Sequence, residues 1–200
     1  MTQAAPSLSD ERWRGGWLLR ARRCASPNAG ARPPGTPIDL LLLHSISLPP
    51  GEFGGDAIEQ LFTNRLDWDA HPYYATIRGL RVSAHFLVRR DGELVQFVSC
   101  LRRAWHAGPS QWQGRADCND YAIGVELEGL EGGRFEAAQY RALLALMHSL
   151  AQRYPLRGVA GHEHVAPGRK CDPGAGFDWN IVIEGSGFPA RYFDAVTSRS

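Results

Sequence analysis

The densest group of chemically able side chains lies between Gly161 and Gly174. There GHEHVAPGRKCDPG packs His162, His164, Lys170, Cys171 and Asp172 into one short run. Pro167, Gly168, Pro173 and Gly174 prevent a continuous helix, so the run reads as a loop able to present side chains inward. Lys170 is the sole lysine, since 21 of the 22 basic residues are arginines. A compact ammonium can approach a metal or a developing oxyanion as a point charge, which a planar guanidinium does less well. The plain alternative is that one lysine survives by chance in an arginine-rich chain.

Two further residues complete a hydrolytic constellation. His44 ends the apolar run IDLLLL over residues 38–43, and Glu126 lies within YAIGVELE over residues 121–128. A hydrolytic zinc site needs three protein ligands and one open position. His44, His162 and Asp172 supply two neutral imidazoles and one carboxylate, which leave a bound zinc ion with net positive charge. That charge lowers the pKa of water from 15.7 to about 7, worth about 12 kcal/mol at roughly 1.36 kcal/mol per unit. A Pro-Gly turn between His162 and Asp172 can fold the carboxylate back. On spacing alone His164 competes with His162, and no HExxH helix is present, which excludes a thermolysin-like site. Glu126 is the candidate proton acceptor and Lys170 the candidate partner of the oxyanion. Against this stand an exposed strand edge for Glu126 and Glu128, and a thiol nucleophile at Cys171 that lacks a recognisable partner histidine. His71 and His148 read as loop and helix-surface residues, while His85 reads either as a satisfied strand histidine or as facing the site.

The elements that must position these groups can be read in outline. IDLLLL is a short apolar run bounded by turn signals and predicts a buried strand that delivers His44 at its end. Asp56 is a candidate N-cap for a short helix to Phe62, and residues 63–81 predict a long surface excursion. Residues 82–89 and 93–98 predict a hairpin across Asp91-Gly92. Tyr121–Glu128 predicts a strand with Glu126 and Glu128 on one face. Residues 136–154 predict a helix with Tyr140, Leu143, Leu144, Met147, Leu150, Ala151 and Tyr154 on one stripe, lacking a Ser, Thr, Asp or Asn cap. A short strand at Val159 then leads to His162. The expected fold is α/β of the α+β type, a single domain with a mixed central β-sheet flanked by helices. A flexible N-terminus over 1–12, a catalytic domain over 13–185 and a loosely held C-terminal tail over 186–200 are expected, with Phe188 to Val196 able to form a short amphipathic turn.

Bulk composition narrows the classes. Two hundred residues with 44% hydrophobic and 22% charged content fit one soluble domain. A net charge of +1 offers no electrostatic case for nucleic acid or an anionic membrane. No run approaches the ~18 apolar residues of a membrane span. The N-terminal MTQAAPSLSDERWRGG lacks the apolar core of a signal peptide. Cys24, Cys100, Cys118 and Cys171 are scattered, without metal or redox spacing, so a cytoplasmic location is expected. Oligomeric state is not encoded in any readable pattern.

The ordered blocks LLLHSISLPPGEFGG, NRLDWDAHPYY, LRVSAHFLVRRDGELVQFV, RAWHAG, QGR, CNDYAIGVELEG, AQY, GHEHVAPGRKCDPG and FDW resemble the cytosolic zinc amidases of the AmpD type. These belong with T7-lysozyme-like amidases and peptidoglycan recognition proteins. The resemblance runs from about Trp13 to Trp179. It implies zinc ligands at His44, His162 and Asp172 and a catalytic pair at Glu126 and Lys170. It also implies substrate-wall roles for Ser45, Arg81, Trp105, His106 and Asn119. The implied substrate is an anhydromuropeptide from cell-wall turnover, cut between the lactyl group of 1,6-anhydro-N-acetylmuramic acid and L-alanine. Ser45 departs from the asparagine usual in this family, and Asp117 from a basic residue. The rival reading is a non-catalytic muropeptide-binding module, which would be expected to have lost one of the five site residues.

Overall fold

The computed structural model describes residues 12–198, so the expected flexible N-terminus lies outside the described residues except for Arg12. Strands β1 (Trp13–Arg14), β2 (Trp17–Leu18), β3 (Arg22–Arg23), β4 (Ala29–Ala31) and β5 (Leu40–Ile46) precede helices α1 (Ala57–Phe62) and α2 (Pro72–Thr76). Strands β6 (Phe86–Val88), β7 (Leu94–Gln96), β8 (Arg102–Ala104), β9 (Gln111–Trp112), β10 (Arg115–Ala116) and β11 (Ala122–Glu128) follow. The chain closes with α3 (Ala137–Ala151), β12 (Gly158–Gly161), α4 (His162–Val165), α5 (Trp179–Ser186) and α6 (Asp194–Thr197). One mixed sheet has the order β12-β5-β11-β6-β7-β3. Within it β12, β5, β11 and β6 run parallel, and β7 returns antiparallel to β6 from the Asp91-Gly92 turn. This is the mixed, helix-flanked sheet expected from the sequence.

The continuous Leu40–Leu43 run is explained by burial of both faces of the parallel strands. Leu41, Leu43, Ile123, Val125, Leu127, Phe86 and Val88 pack with Leu143, Leu146, Met147 and Leu150 of α3 and Val182 of α5. Leu40, Leu42, Ala122 and Ala160 face the other way, against Trp112, Cys118, Tyr121 and Val165. The period of two then puts His44 and Glu126 on the face opposite α3. The parallel register pairs them directly, Glu126 beside His44.

Helix α3 starts without a Ser, Thr, Asp or Asn cap, as expected, at Glu136: Gln139 Oε1 accepts the Glu136 amide at 2.9 Å, while Gln139 Nε2 donates to the Glu128 and Val88 carbonyls. A buried glutamine thus starts the helix and ties it to the sheet. The 63–81 excursion contains α2, with His71 as its N-cap and Pro72 in its first turn, a start signal written in the sequence. The C-terminal segment is packed rather than loosely held, because Phe193 is fully buried in the α3 core. Asp56 does precede α1, but its carboxylate accepts from the Gln60 side chain instead of capping helix amides.

Helix α1 is fastened to the sheet by charge. Glu59 accepts from Arg22 at 2.7 and 2.9 Å and from Arg89 at 2.7 Å, and Arg89 also reaches Glu128 at 3.0 Å. Hydrogen bonds from Arg22, opposed by burial and helped by Arg89, lower the Glu59 pKa from 4.5 to about 2. A depressed carboxylate contributes stability above its unfolded pKa and loses it as pH falls through the folded value. Glu59→Gln is therefore expected to cost roughly 1 kcal/mol at pH 7, allowing for solvent screening. In urea denaturation the gap to wild type should narrow from about pH 4.5 down toward pH 2.

Candidate active site

The C-terminal ends of β5, β11 and β12 lie side by side, and ligand sites in open α/β sheets gather at such ends. β5 delivers His44, β11 delivers Glu126, and β12 ends at Gly161, so that His162 emerges next to His44. The loop after α4 then brings Asp172 back to the same point, where its carbonyl accepts from the Glu163 amide at 2.9 Å.

His44 Nδ1 lies 3.0 Å from His162 Nδ1 and 3.0 Å from Asp172 Oδ2, and His162 Nδ1 lies 3.1 Å from the same oxygen. All three side chains are buried. His162 Nε2 is 2.8 Å from the Ala107 carbonyl, which can only accept. In the tautomer that this contact selects, the ring proton is on Nε2 and Nδ1 presents a lone pair to the triangle. Burial drives the His44 pKa to about 4, partly offset by Asp172, so the His44 ring is neutral near pH 7. Burial alone would raise Asp172, but the rings of His162 and His44 beside its Oδ2 outweigh it and hold the carboxyl well below its usual range. Two imidazole nitrogens and an ionised oxygen thus converge on one point. That donor set fits a divalent cation such as zinc, whose bonds to N and O are about 2.0–2.2 Å.

Glu126 and Lys170 join these ligands in the lining of a cleft of about 400 Å³. Glu126 Oε2 is buried without a hydrogen-bond partner, and burial raises its pKa well above the usual value, with Asp172 adding to the shift and Lys170 opposing it. Glu126 and Glu128 are buried in a central strand, not at an exposed edge.

Of the other expected site residues, Ser45, Trp105 and His106 line the cleft, and Ser45 Oγ has no partner. Arg81 is exposed and outside the lining. Asn119 is buried outside it as well, its Oδ1 accepting the His106 and Ala107 amides at 3.0 and 2.9 Å. Tyr73, Ile77 and Leu80 of the 63–81 excursion also line the cleft and were not singled out in the sequence. His85 is satisfied: its Nδ1 accepts the Gly124 amide and its Nε2 meets the Arg102 carbonyl, both at 3.0 Å.

His164 does not join the triangle. Its Nδ1 accepts the Gly161 amide at 2.9 Å, and its ring packs on Trp179. His162→Ala is expected to lose metal, whereas His164→Ala should keep it and cost about 1 kcal/mol of stability, the usual worth of a cap. Metal content by plasma mass spectrometry, together with thermal melting, checks both.

Comparison with known proteins agrees with this geometry. The family described as N-acetylmuramoyl-L-alanine amidase matches residues 34–175. The 1,6-anhydro-N-acetylmuramyl-L-alanine amidase AmpD of Citrobacter freundii is 54% identical over 82% of this chain and 89% of its own length. AmpD of Escherichia coli K12 is 53% identical over 82% of this chain and 91% of its own. A crystal structure of AmpD superposes with a TM-score of 0.83 at 51% identity, covering 86% of this chain and 97% of that one. The Escherichia coli amidase AmiD was solved in complex with its substrate anhydro-N-acetylmuramic acid-L-Ala-D-γ-Glu-L-Lys. It matches with a TM-score of 0.54 and 29% identity, covering 76% of this chain and 59% of that one. Sequence, fold and strand-end geometry coincide, and the chain belongs to the N-acetylmuramoyl-L-alanine amidase family.

Proposed function

We propose that this chain hydrolyses the amide between the lactyl group of 1,6-anhydro-N-acetylmuramic acid and L-alanine, acting in the cytoplasm on anhydromuropeptides from cell-wall recycling. The observation that carries the reading is the triangle of His44 Nδ1, His162 Nδ1 and Asp172 Oδ2, 3.0–3.1 Å on a side, beside Glu126 and Lys170 in one cleft. The substrate class comes from the AmpD relatives and the AmiD complex, and no described helix is long and apolar enough to cross a membrane.

His44, His162 and Asp172 would hold zinc. When bound, zinc supplies Lewis acidity that lowers the pKa of water from 15.7 to about 7. Glu126 accepts the proton of the attacking water and passes it to the leaving amine of L-alanine; its dry surroundings and raised proton affinity suit both halves of that task. Lys170 places its ammonium where the carbonyl oxygen gains charge. Ser45 and Trp105 line the cleft together with Tyr73, Ile77 and Leu80, and its volume is within the ~300–1,000 Å³ typical of small-ligand sites. Arg81 and Asn119 are not assigned contact with substrate.

Lys170→Arg is expected to lower kcat about 10²-fold, the lower end for loss of one oxyanion partner. KM and metal content should be retained, because Lys170 is exposed and outside the triangle. Product analysis of a defined anhydromuropeptide by mass spectrometry tests the function itself. The metal-loaded protein should release free peptide and anhydro-sugar, and the chelator-treated protein neither. Binding of intact substrate without cleavage would make this a recognition module instead.

A further inference from the structure

His44 and His162 each direct one ring nitrogen into the triangle and the other toward the same short stretch of chain. His44 Nε2 lies 3.0 Å from His106 Nδ1, and His162 Nε2 lies 2.8 Å from the carbonyl of the next residue, Ala107. These consecutive residues are pegged together, since Asn119 Oδ1 accepts both of their amides. Arg169 Nη2 donates to the Ala107 and Pro109 carbonyls at 2.6 Å, fastening the stretch to the loop that carries Asp172.

The His106 ring is held in place from behind. It lies against Gly124 of β11, where a Cβ would stand 2.5 Å from His106 Cγ. Its Nε2 is buried with no partner, an arrangement that costs about 1–3 kcal/mol. An apolar ring would fill the same space without that cost. The polarity of Nδ1 must therefore be used, and its one partner is the His44 ring.

We propose that His106 is a positioning residue of the metal centre, which sets the tautomer of His44 by accepting its Nε2 proton and so frees Nδ1 for the cation. Ala107 does the same for His162 through its carbonyl, and Asn119 aligns the two. One short segment thus orients both imidazoles, and outer partners of this kind are typically worth 10–100-fold in metal affinity. The inference rests on the reading of the triangle as a zinc site.

The test compares wild type with His106→Leu and His106→Asn, whose amide oxygen stands near the place of Nδ1, and with Asn119→Leu. Zinc affinity is read by chelator competition, ligand geometry by the visible spectrum of the cobalt-loaded protein, and kcat and KM separately. His106→Leu should bind zinc 10–100-fold more weakly, with an altered cobalt spectrum and a near-normal KM. His106→Asn should recover most of the affinity, and Asn119→Leu should weaken zinc without touching ligand or cleft. Wild-type zinc affinity in folded His106→Leu overturns the inference. If that variant does not fold, wild-type affinity in Asn119→Leu does so instead. A raised KM with unchanged affinity would place His106 on the substrate and also overturn it. A wild-type protein that binds no zinc would sink the metal reading itself, which keeps the two failures apart.

Discussion

Asp172→Ala should leave a folded protein with little bound metal and a kcat/KM reduced about 10³-fold or more. Asp172 Oδ2 is the only anionic corner of the triangle, and the two imidazoles left behind bring no charge to offset a dication. Acidification of water by the metal spans about nine pKa units, or roughly 12 kcal/mol, so even partial loss of occupancy removes most of the rate. Folding should survive, because the strands that carry His44 and Glu126 are fixed by the leucine core and not by Asp172. Circular dichroism, metal content and turnover of an anhydromuropeptide check the three parts. Activity that persists in the metal-stripped variant would sink the zinc mechanism.

Glu126→Gln gives the complementary result: metal retained, turnover lost. Its carboxyl is outside the triangle but inside the cleft, with Oε2 unpartnered. A glutamine keeps the shape and hydrogen-bonding capacity while removing the proton acceptor. The expected fall in kcat is 10²–10⁴-fold, the range for loss of a general acid–base, at unchanged zinc content and little changed KM. Loss of zinc in this variant would mean that Glu126 holds the centre together; near-normal kcat would remove it from proton transfer.

Much of this site was legible in the sequence because its parts are local signals. The leucine run over residues 40–43 announces a strand buried on both faces, so the polar His44 at its end stands out. The alternation in YAIGVELE puts Glu126 on a defined face, and Pro and Gly mark 161–174 as a turn-rich loop. What spacing left open was His162 against His164. The structure separates them by direction, one ring into the triangle and the other back onto the Gly161 amide.

The rest was hidden for physical reasons. The partner of His162 is a backbone carbonyl, which has no sequence signature, and the contact spans 55 residues. Asn119 reads as a polar wall residue by type, yet its oxygen is consumed by two amides of a distant segment. The cap of α3 carries none of the usual Ser, Thr, Asp or Asn signals, because Glu136 and the glutamine at the third helical position do that work. The apolar residues Phe188, Tyr192, Phe193 and Val196 hint at an amphipathic turn, but that Phe193 is fully buried depends on the core surface beneath it.

The central claim is that His44, His162 and Asp172 form a zinc centre through Nδ1, Nδ1 and Oδ2. Anomalous diffraction at the zinc edge from crystals of the metal-loaded protein tests it most directly. One full-occupancy peak should appear about 2.0–2.2 Å from each of these three atoms. A peak centred on His164 or Cys171, or none at stoichiometric zinc, would contradict it.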